Sequence, residues 1–254
     1  MNYVIGSSGK GGTGKSSFMA LTLKVLLDLG KKHILMVDAD PDSNIPDLLD
    51  TPVQKTVGDV CCDLMDRMSQ LPPDFNKKSH LESKLFEVLY EGDAFDLLVM
   101  GALEREGCFC YINTALTSIL DNYIGNYEYT LMDMPAGLEH IARRTDRNVD
   151  HLYVITDASK MGLLTALRIK ELSQKLKIKF REVYLVANQV SESAREYIEQ
   201  YAEKNGLNLV GYIPTDSLVQ EYNLVGKSLL ELPNDSSAYQ AVREILTKTI
   251  LLVQ

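Results

Sequence analysis

Apolar residues along this chain follow two rhythms that alternate from one end to the other. Short apolar runs near residues 3–5, 34–37, 95–101, 127–133, 151–156, 183–188 and 207–214 predict strands buried on both faces. The segments between them carry apolar residues at helical spacing. Leu21, Val25, Leu26 and Leu29 define one face of a helix predicted over 18–29. Comparable patterns predict helices over 56–68, 84–89, 111–123, 162–176, 194–204 and 237–252. Strands that alternate with helices predict an α/β fold of three layers, a mostly parallel central sheet flanked by helices. Residues 51–93 are the least regular stretch, interrupted by Pro72-Pro73. With no repeat, linker or low-complexity segment, residues 1–254 are expected to form a single domain.

The junction between the first strand and the first helix carries the strongest chemical signal. Gly9-Lys10-Gly11-Gly12-Thr13-Gly14-Lys15-Ser16-Ser17 fits G-x-x-x-x-G-K-[ST], and strand, glycine-rich turn and helix are the context that motif requires. Glycines let successive N–H groups curl around a phosphate, and the helix start adds its positive dipole end. Lys15 is expected to reach the β- and γ-phosphates, with the Ser16 hydroxyl on Mg²⁺. ATP or ADP with Mg²⁺ is therefore the expected ligand, and the domain reads as a P-loop ATPase.

Two further strand ends carry acids. The run at 34–37 leads into Asp38-Ala39-Asp40-Pro41-Asp42, and such strand ends face the ligand crevice of an open α/β sheet. Three acids this close repel unless a cation, water or ligand sits among them. Asp133 closes the run at 127–133, where an apolar strand before an acid reads as a Walker B group for the Mg²⁺ shell. Gly137 then gives the next loop freedom to respond to a γ-phosphate.

The cysteines divide into two pairs. Cys61 and Cys62, adjacent on a predicted helix, point about 100° apart and are expected to be small core residues. Cys108-Phe109-Cys110 can converge on one soft cation, but two thiolates are half of a four-ligand set. A dimer axis beside them would complete it; a redox pair or two idle thiols are the other readings.

The loop K-G-G-T-G-K, with Lys10 as a second lysine, resembles the deviant Walker A of the SIMIBI ATPases, which include MinD, ParA and the nitrogenase iron protein. That resemblance implies a homodimer closing on ATP, with Lys10 reaching the other subunit's nucleotide; a contact within its own subunit is the alternative. It also implies that Asp40 positions water and that Asp38 lies near Mg²⁺ through water. Asn188 would read the adenine edge, flanked by Pro214, Thr215 and Asp216; a plain turn asparagine is the other reading of Asn188. Taken with C-x-C and Met-Asp-Met-Pro-Ala-Gly-Leu-Glu-His at 132–140, the chain resembles the CooC-type nickel ATPases that serve carbon monoxide dehydrogenase or acetyl-CoA synthase maturation. This likeness implies Ni²⁺ on Cys108 and Cys110, Zn²⁺ being accepted in vitro, and a nickel metalloenzyme as client. A positioning ATPase of the MinD or ParA kind and an iron–sulfur carrier are the rival readings.

Composition narrows the partners. The formal charge of −9 without a long basic run disfavours nucleic acid. Apolar residues at 45% and charged residues at 24% suffice for a packed core. A core strand at Tyr3 leaves no room for a signal peptide, and no apolar run has the ~18 residues of a membrane span. A cytoplasmic protein is expected. Leu246, Ile250 and Val253 could suggest a membrane-targeting tail, but too few basic residues flank them, so core packing is expected there and stable membrane association is not.

Overall fold

Eight strands form one sheet in the computed structural model, which describes residues 2–67, 72, 75–102, 123–135, 149–175 and 180–251. In chain order the elements begin with β1 (Tyr3–Gly9), α1 (Lys15–Asp28), β2 (Ile34–Asp38), α2 (Ile45–Leu49), α3 (Val57–Arg67) and α4 (Lys77–Val88). The strands β3 (Tyr90–Glu91), β4 (Asp96–Val99), β5 (Tyr129–Asp133) and β6 (Val149–Thr156) follow. The last part holds α5 (Lys160–Ser173), β7 (Phe180–Asn188), α6 (Glu192–Lys204), β8 (Leu209–Ile213), α7 (Ser217–Val225) and α8 (Ser237–Leu246). Strand order is β3-β4-β2-β5-β1-β6-β7-β8. All pairings are parallel except the short β3, which runs antiparallel to β4 at the edge.

Burial on both faces explains why the strands read as continuous apolar runs. Successive residues enter opposite cores: Ile5, Met36, Leu97 and Leu131 pack with α1, α2 and α8. Val4, Leu35, Leu98 and Met132 pack with α3, α4 and α5. The sheet with helices on each face is the three-layer α/β architecture expected. Cys61 lies in the second core, and burial pushes its thiol up to about 12. None of the helices among the described residues is long and apolar enough to cross a membrane.

Several boundaries differ from the sequence pattern for identifiable reasons. The helix expected over 84–89 runs Lys77–Val88, because the Asn76 side chain accepts the Ser79 N–H at 3.1 Å and starts it in a polar stretch. The helix expected over 237–252 is α-helical to Leu246 and continues as a π-turn at Thr247–Leu251. Within that turn Thr249 bonds the Tyr153 hydroxyl and the Ile245 carbonyl, and an inserted side-chain bond of this kind distorts a helix. Ile250 is buried, as core packing requires. The helix expected over 111–123 falls almost wholly outside the described residues.

At the end of the sheet remote from the strand ends that carry the acids, His151 is buried between Tyr3 and Tyr184. Its ring stacks on them at centroid distances of 5.7 and 5.8 Å and interplanar angles of 6° and 8°. Nδ1 is buried without a hydrogen-bond partner. Burial first, and Arg181 second, depress the imidazole pKa against the opposing pull of Asp150 and Glu182. A depressed folded-state pKa means that His151 stabilises the fold above its ordinary value of 6.5 and that this is lost as pH falls below it. Buried Asp38 and Asp133, whose pKa values are raised, act in the opposite direction as pH falls, so the contribution of His151 is read as a difference between proteins. In denaturant unfolding at pH 7.5 and 5.5, the native protein is expected to lose stability relative to His151→Phe at the lower pH; an unchanged difference between the two proteins would assign no such effect to His151.

Candidate nucleotide-binding site

Sheet topology places β1 between β5 and β6, so the chain leaves β1 towards one side and returns on the other. The crevice beyond such a switch point is where open α/β sheets bind ligands. The loop after β1 fits there because of two glycines. A Cβ on Gly9 would come within 2.2 Å of the Ile155 carbonyl oxygen on β6. Gly14 caps α1 with a left-handed φ of 85°, and a Cβ there would meet the Asn188 amide nitrogen at 2.3 Å. Thr13 Oγ1 donates to the Lys10 carbonyl at 2.8 Å and closes the loop on itself. No side chain caps the start of α1, so its first N–H groups are available to an anion. Lys15 opens that helix and is buried.

Three side chains meet on one level of the sheet beside this loop. Ser7 and Asp38 are both register partners of Asp133, on β1 and β2 respectively, and all three are fully buried. Ser7 Oγ donates to Asp133 Oδ1 at 2.9 Å. Asp133 Oδ2 is buried with no hydrogen-bond partner. Burial raises the Asp133 pKa, opposed by the hydroxyls of Ser16 and Ser7 and the charge of Lys15. An orphan carboxylate oxygen next to a serine hydroxyl is a donor set suited to Mg²⁺, which takes one or two protein oxygens and completes its shell from phosphate and water. Ser16 and Asp133 fit the ion on those grounds. Among the described residues no cluster of three or more His, Cys, Asp or Glu is placed to hold a metal.

Asp38 orders the loop that follows it. Its Oδ1 accepts the Asp40 N–H at 3.2 Å and its Oδ2 accepts the Ile45 N–H at 3.0 Å. Burial pushes its pKa up to about 7, with Asp133 and Asp40 adding to the rise and the two N–H groups opposing it. Asp40 is thereby held at the rim of the crevice, partly exposed. Met100, one residue past β4, donates its N–H to the Asp38 carbonyl at 2.8 Å and accepts from Gly58 at the start of α3 at 2.9 Å. Cys108 and Cys110, further along the sequence, lie outside the described residues, as do Gly137 and His140.

Lys10 forms an ion pair with Asp157 at 3.5 Å, each side chain about two-fifths exposed (42% and 39%). Exposed pairs of this kind are worth about 0–1 kcal/mol, so Lys10 can leave for a phosphate at little cost. Burial opposes ionisation of Asp157, but the Ser159 N–H and hydroxyl and the Lys10 charge outweigh it and lower its pKa. Neither Asp157 nor Ser7 stands out in the sequence as a site residue. The signal for Asp157 is its place just past a strand end, the same signal that marks Asp38 and Asp133.

The residues expected around a base converge on a cleft lined by Ser17, Phe18, Asn188, Pro214, Thr215 and Asp216. Asn188 is buried and donates its side-chain amide to the Thr13 carbonyl at 2.8 Å, which ties the end of β7 to the phosphate loop. Asp216 behaves differently from the others. Its Oδ1 accepts the Leu218 N–H, and its Oδ2 accepts from Ser236 Oγ, Ser237 Oγ and the Ala238 N–H at 2.7–3.0 Å. One carboxylate thus caps both α7 and α8. Burial would raise its pKa, but these donors outweigh it and pull the carboxyl down to about 2.

A family model described as the CobQ/CobB/MinD/ParA nucleotide binding domain matches residues 4–229. An uncharacterized ATP-binding protein of Methanocaldococcus jannaschii is 47% identical over 251 residues, covering 97% of this chain and 98% of that protein. The carbon monoxide dehydrogenase accessory protein CooC of Rhodospirillum rubrum is 27% identical over 243 residues, covering 90% and 89%. The septum site-determining protein MinD of Pyrococcus horikoshii, solved with Mg-ADP, superposes with a TM-score of 0.69 at 21% identity, covering 100% and 98%.

Asp216→Ala is expected to lower thermal stability by about 1–2 kcal/mol through the loss of helix caps, while affinity for a fluorescent ATP analogue stays near that of the native protein. Its contribution is present above the ordinary carboxylate value of 3.8 and is lost as pH falls towards about 2. A variant of unchanged stability that loses nucleotide affinity would instead make Asp216 a base contact.

Proposed function

We propose that this chain, which belongs to the CobQ/CobB/MinD/ParA nucleotide-binding family, is a dimeric ATPase that carries nickel to a metalloenzyme. The observation that carries the ATPase part is the meeting of Lys15, Asp133 with its free oxygen, and the Asp38-ordered loop at one strand-end crevice. The nickel part is supported by the likeness to CooC along 90% of the chain and by the Cys108-Phe109-Cys110 pair that follows β4. The physiological client would be carbon monoxide dehydrogenase, acetyl-CoA synthase or another nickel enzyme.

In this reading the N–H groups of Gly11 to Ser17 and the start of α1 cradle the phosphates, and Lys15 neutralises the β- and γ-oxygens. Ser16 and Asp133 would hold Mg²⁺, with Asp38 near it through water; the ion when bound neutralises the same phosphate oxygens. Asp40 orients the attacking water. Lys10 leaves Asp157 and reaches the nucleotide of the partner subunit, where it stabilises charge developing on the transferred phosphate. Closure brings the two C-x-C pairs together to complete a four-thiolate site, and hydrolysis separates them and releases the ion. Coupling needs only that ATP and metal both favour the closed dimer. Asn188, Pro214 and Thr215 would bound the adenine.

Two variants and one titration test this. Asp40→Asn is expected to retain ATP binding and lose turnover by on the order of 10²-fold or more; near-native turnover would remove Asp40 from the mechanism. Anaerobic protein titrated with nickel in the presence of a non-hydrolysed ATP analogue should bind one ion per two chains, read by sulfur-to-metal charge transfer. Cys108→Ser combined with Cys110→Ser should abolish that signal and spare ATP binding. One ion per chain, or binding that survives the double substitution, would overturn the shared site. A brown protein after anaerobic purification would favour an iron–sulfur carrier, and turnover stimulated by lipid or DNA would favour a positioning ATPase.

A further inference from the structure

We propose that Ser7 is a positioning residue for nucleotide-bound magnesium: its hydroxyl fixes one oxygen of Asp133 and leaves the other for the ion's shell. This rests on the ATPase reading above, and it assigns a role to a residue that lies outside the phosphate-loop motif.

The geometry begins with strand parity. Ile5, Met36 and Leu131 face the α1 side of the sheet, so Ser7, Asp38 and Asp133, each two residues further along, face it as well. Parallel pairing puts Ser7 directly beside Asp133, and β2 puts Asp38 on its other flank. Asp38 already has a backbone N–H on each oxygen. The orienting donors therefore come from β1 and from α1, and Ser16 on α1 is the one expected to be drawn to the ion. Ser7 is the donor that stays behind. It is fully buried and bonds Asp133 Oδ1 at 2.9 Å across 126 residues of sequence. Without it Oδ1 would join Oδ2 as a buried acceptor without a hydrogen bond, and the carboxylate would lose the contact that sets its rotation. Donors behind a metal-facing carboxylate act in this way, and their removal costs about 10–100-fold in metal affinity.

The test separates positioning from simple packing. A fluorescent ATP analogue is titrated into native protein, Ser7→Ala, Ser7→Thr and Ser7→Cys, first in EDTA and then across a range of Mg²⁺ concentrations. Ser7→Ala is expected to keep its magnesium-free nucleotide affinity, with some loss of melting temperature from the unpaired Oδ1, while half-saturating Mg²⁺ rises on the order of tenfold. Ser7→Thr, which retains the hydroxyl, should return close to the native value. Ser7→Cys, nearly isosteric with a weak donor, should fall between and serves if the alanine variant does not fold. An unshifted Mg²⁺ requirement in the variants overturns the proposal, as does a parallel loss of magnesium-free affinity, which would make Ser7 a packing residue of the loop. Asp133→Asn is run alongside: if it too leaves the Mg²⁺ requirement unchanged, the reading of the magnesium site fails, and not the role of Ser7 alone.

Discussion

Two carboxylates buried side by side, on strands that pair in register, set the terms for the rest of this structure. Asp38 and Asp133 have no exposed surface, and placing two like charges there is costly unless donors or cations surround them. The molecule supplies donors from several directions. Backbone N–H groups come from the loop after β2, hydroxyls from β1 and α1, and the charge of Lys15 from the start of α1. Even so, one oxygen of Asp133 stays unmatched. A cation at that oxygen would complete the arrangement, and this is the magnesium site proposed above.

The phosphate loop is held to the sheet from the opposite side. Gly9 lies against β6 with no room for a side chain, and Asn188 at the end of β7 grips the Thr13 carbonyl beside Gly14. The loop is thus braced by strands that follow it far along the chain, on the side where the base would lie. In the proposed function, a base contact at Asn188 and a phosphate contact at Gly14 would be mechanically one piece. By contrast, Lys10 stands on a partly exposed ion pair with Asp157, which holds it only weakly.

How much of this was legible in the sequence follows from the range of the interactions. The phosphate loop, the strand-end acids and the sheet itself are local patterns, since glycine, lysine and apolar runs act on their immediate neighbours. The full extent of α4 was not legible, because its first turn depends on the Asn76 cap in a polar stretch. The π-turn at the end of α8 depends on Tyr153, 96 residues away. Asp216 sat where a base contact was expected, but its partners Ser236 to Ala238 are drawn in only by the folding of α8. Ser7 reads as an ordinary small residue before the glycines until β5 is laid beside it. The cysteine pair at 108 and 110 was legible as chemistry, but it lies outside the described residues.

Met100 joins the acid-bearing end of β2 to the start of α3 through its own backbone. Its N–H holds the carbonyl of Asp38, and its carbonyl holds the Gly58 N–H of α3. Both bonds are main-chain, so they impose almost no demand on side-chain identity. The demand falls instead on Gly58 and Gly101, where a Cβ would strike the Ala102 carbonyl at 2.5 Å and Thr56 Oγ1 at 2.4 Å. The start of α3 is therefore tied to the end of β2 through backbone alone, and substitutions on the outward surface of α3 and α4 leave that joint intact provided Gly58 and Gly101 are kept.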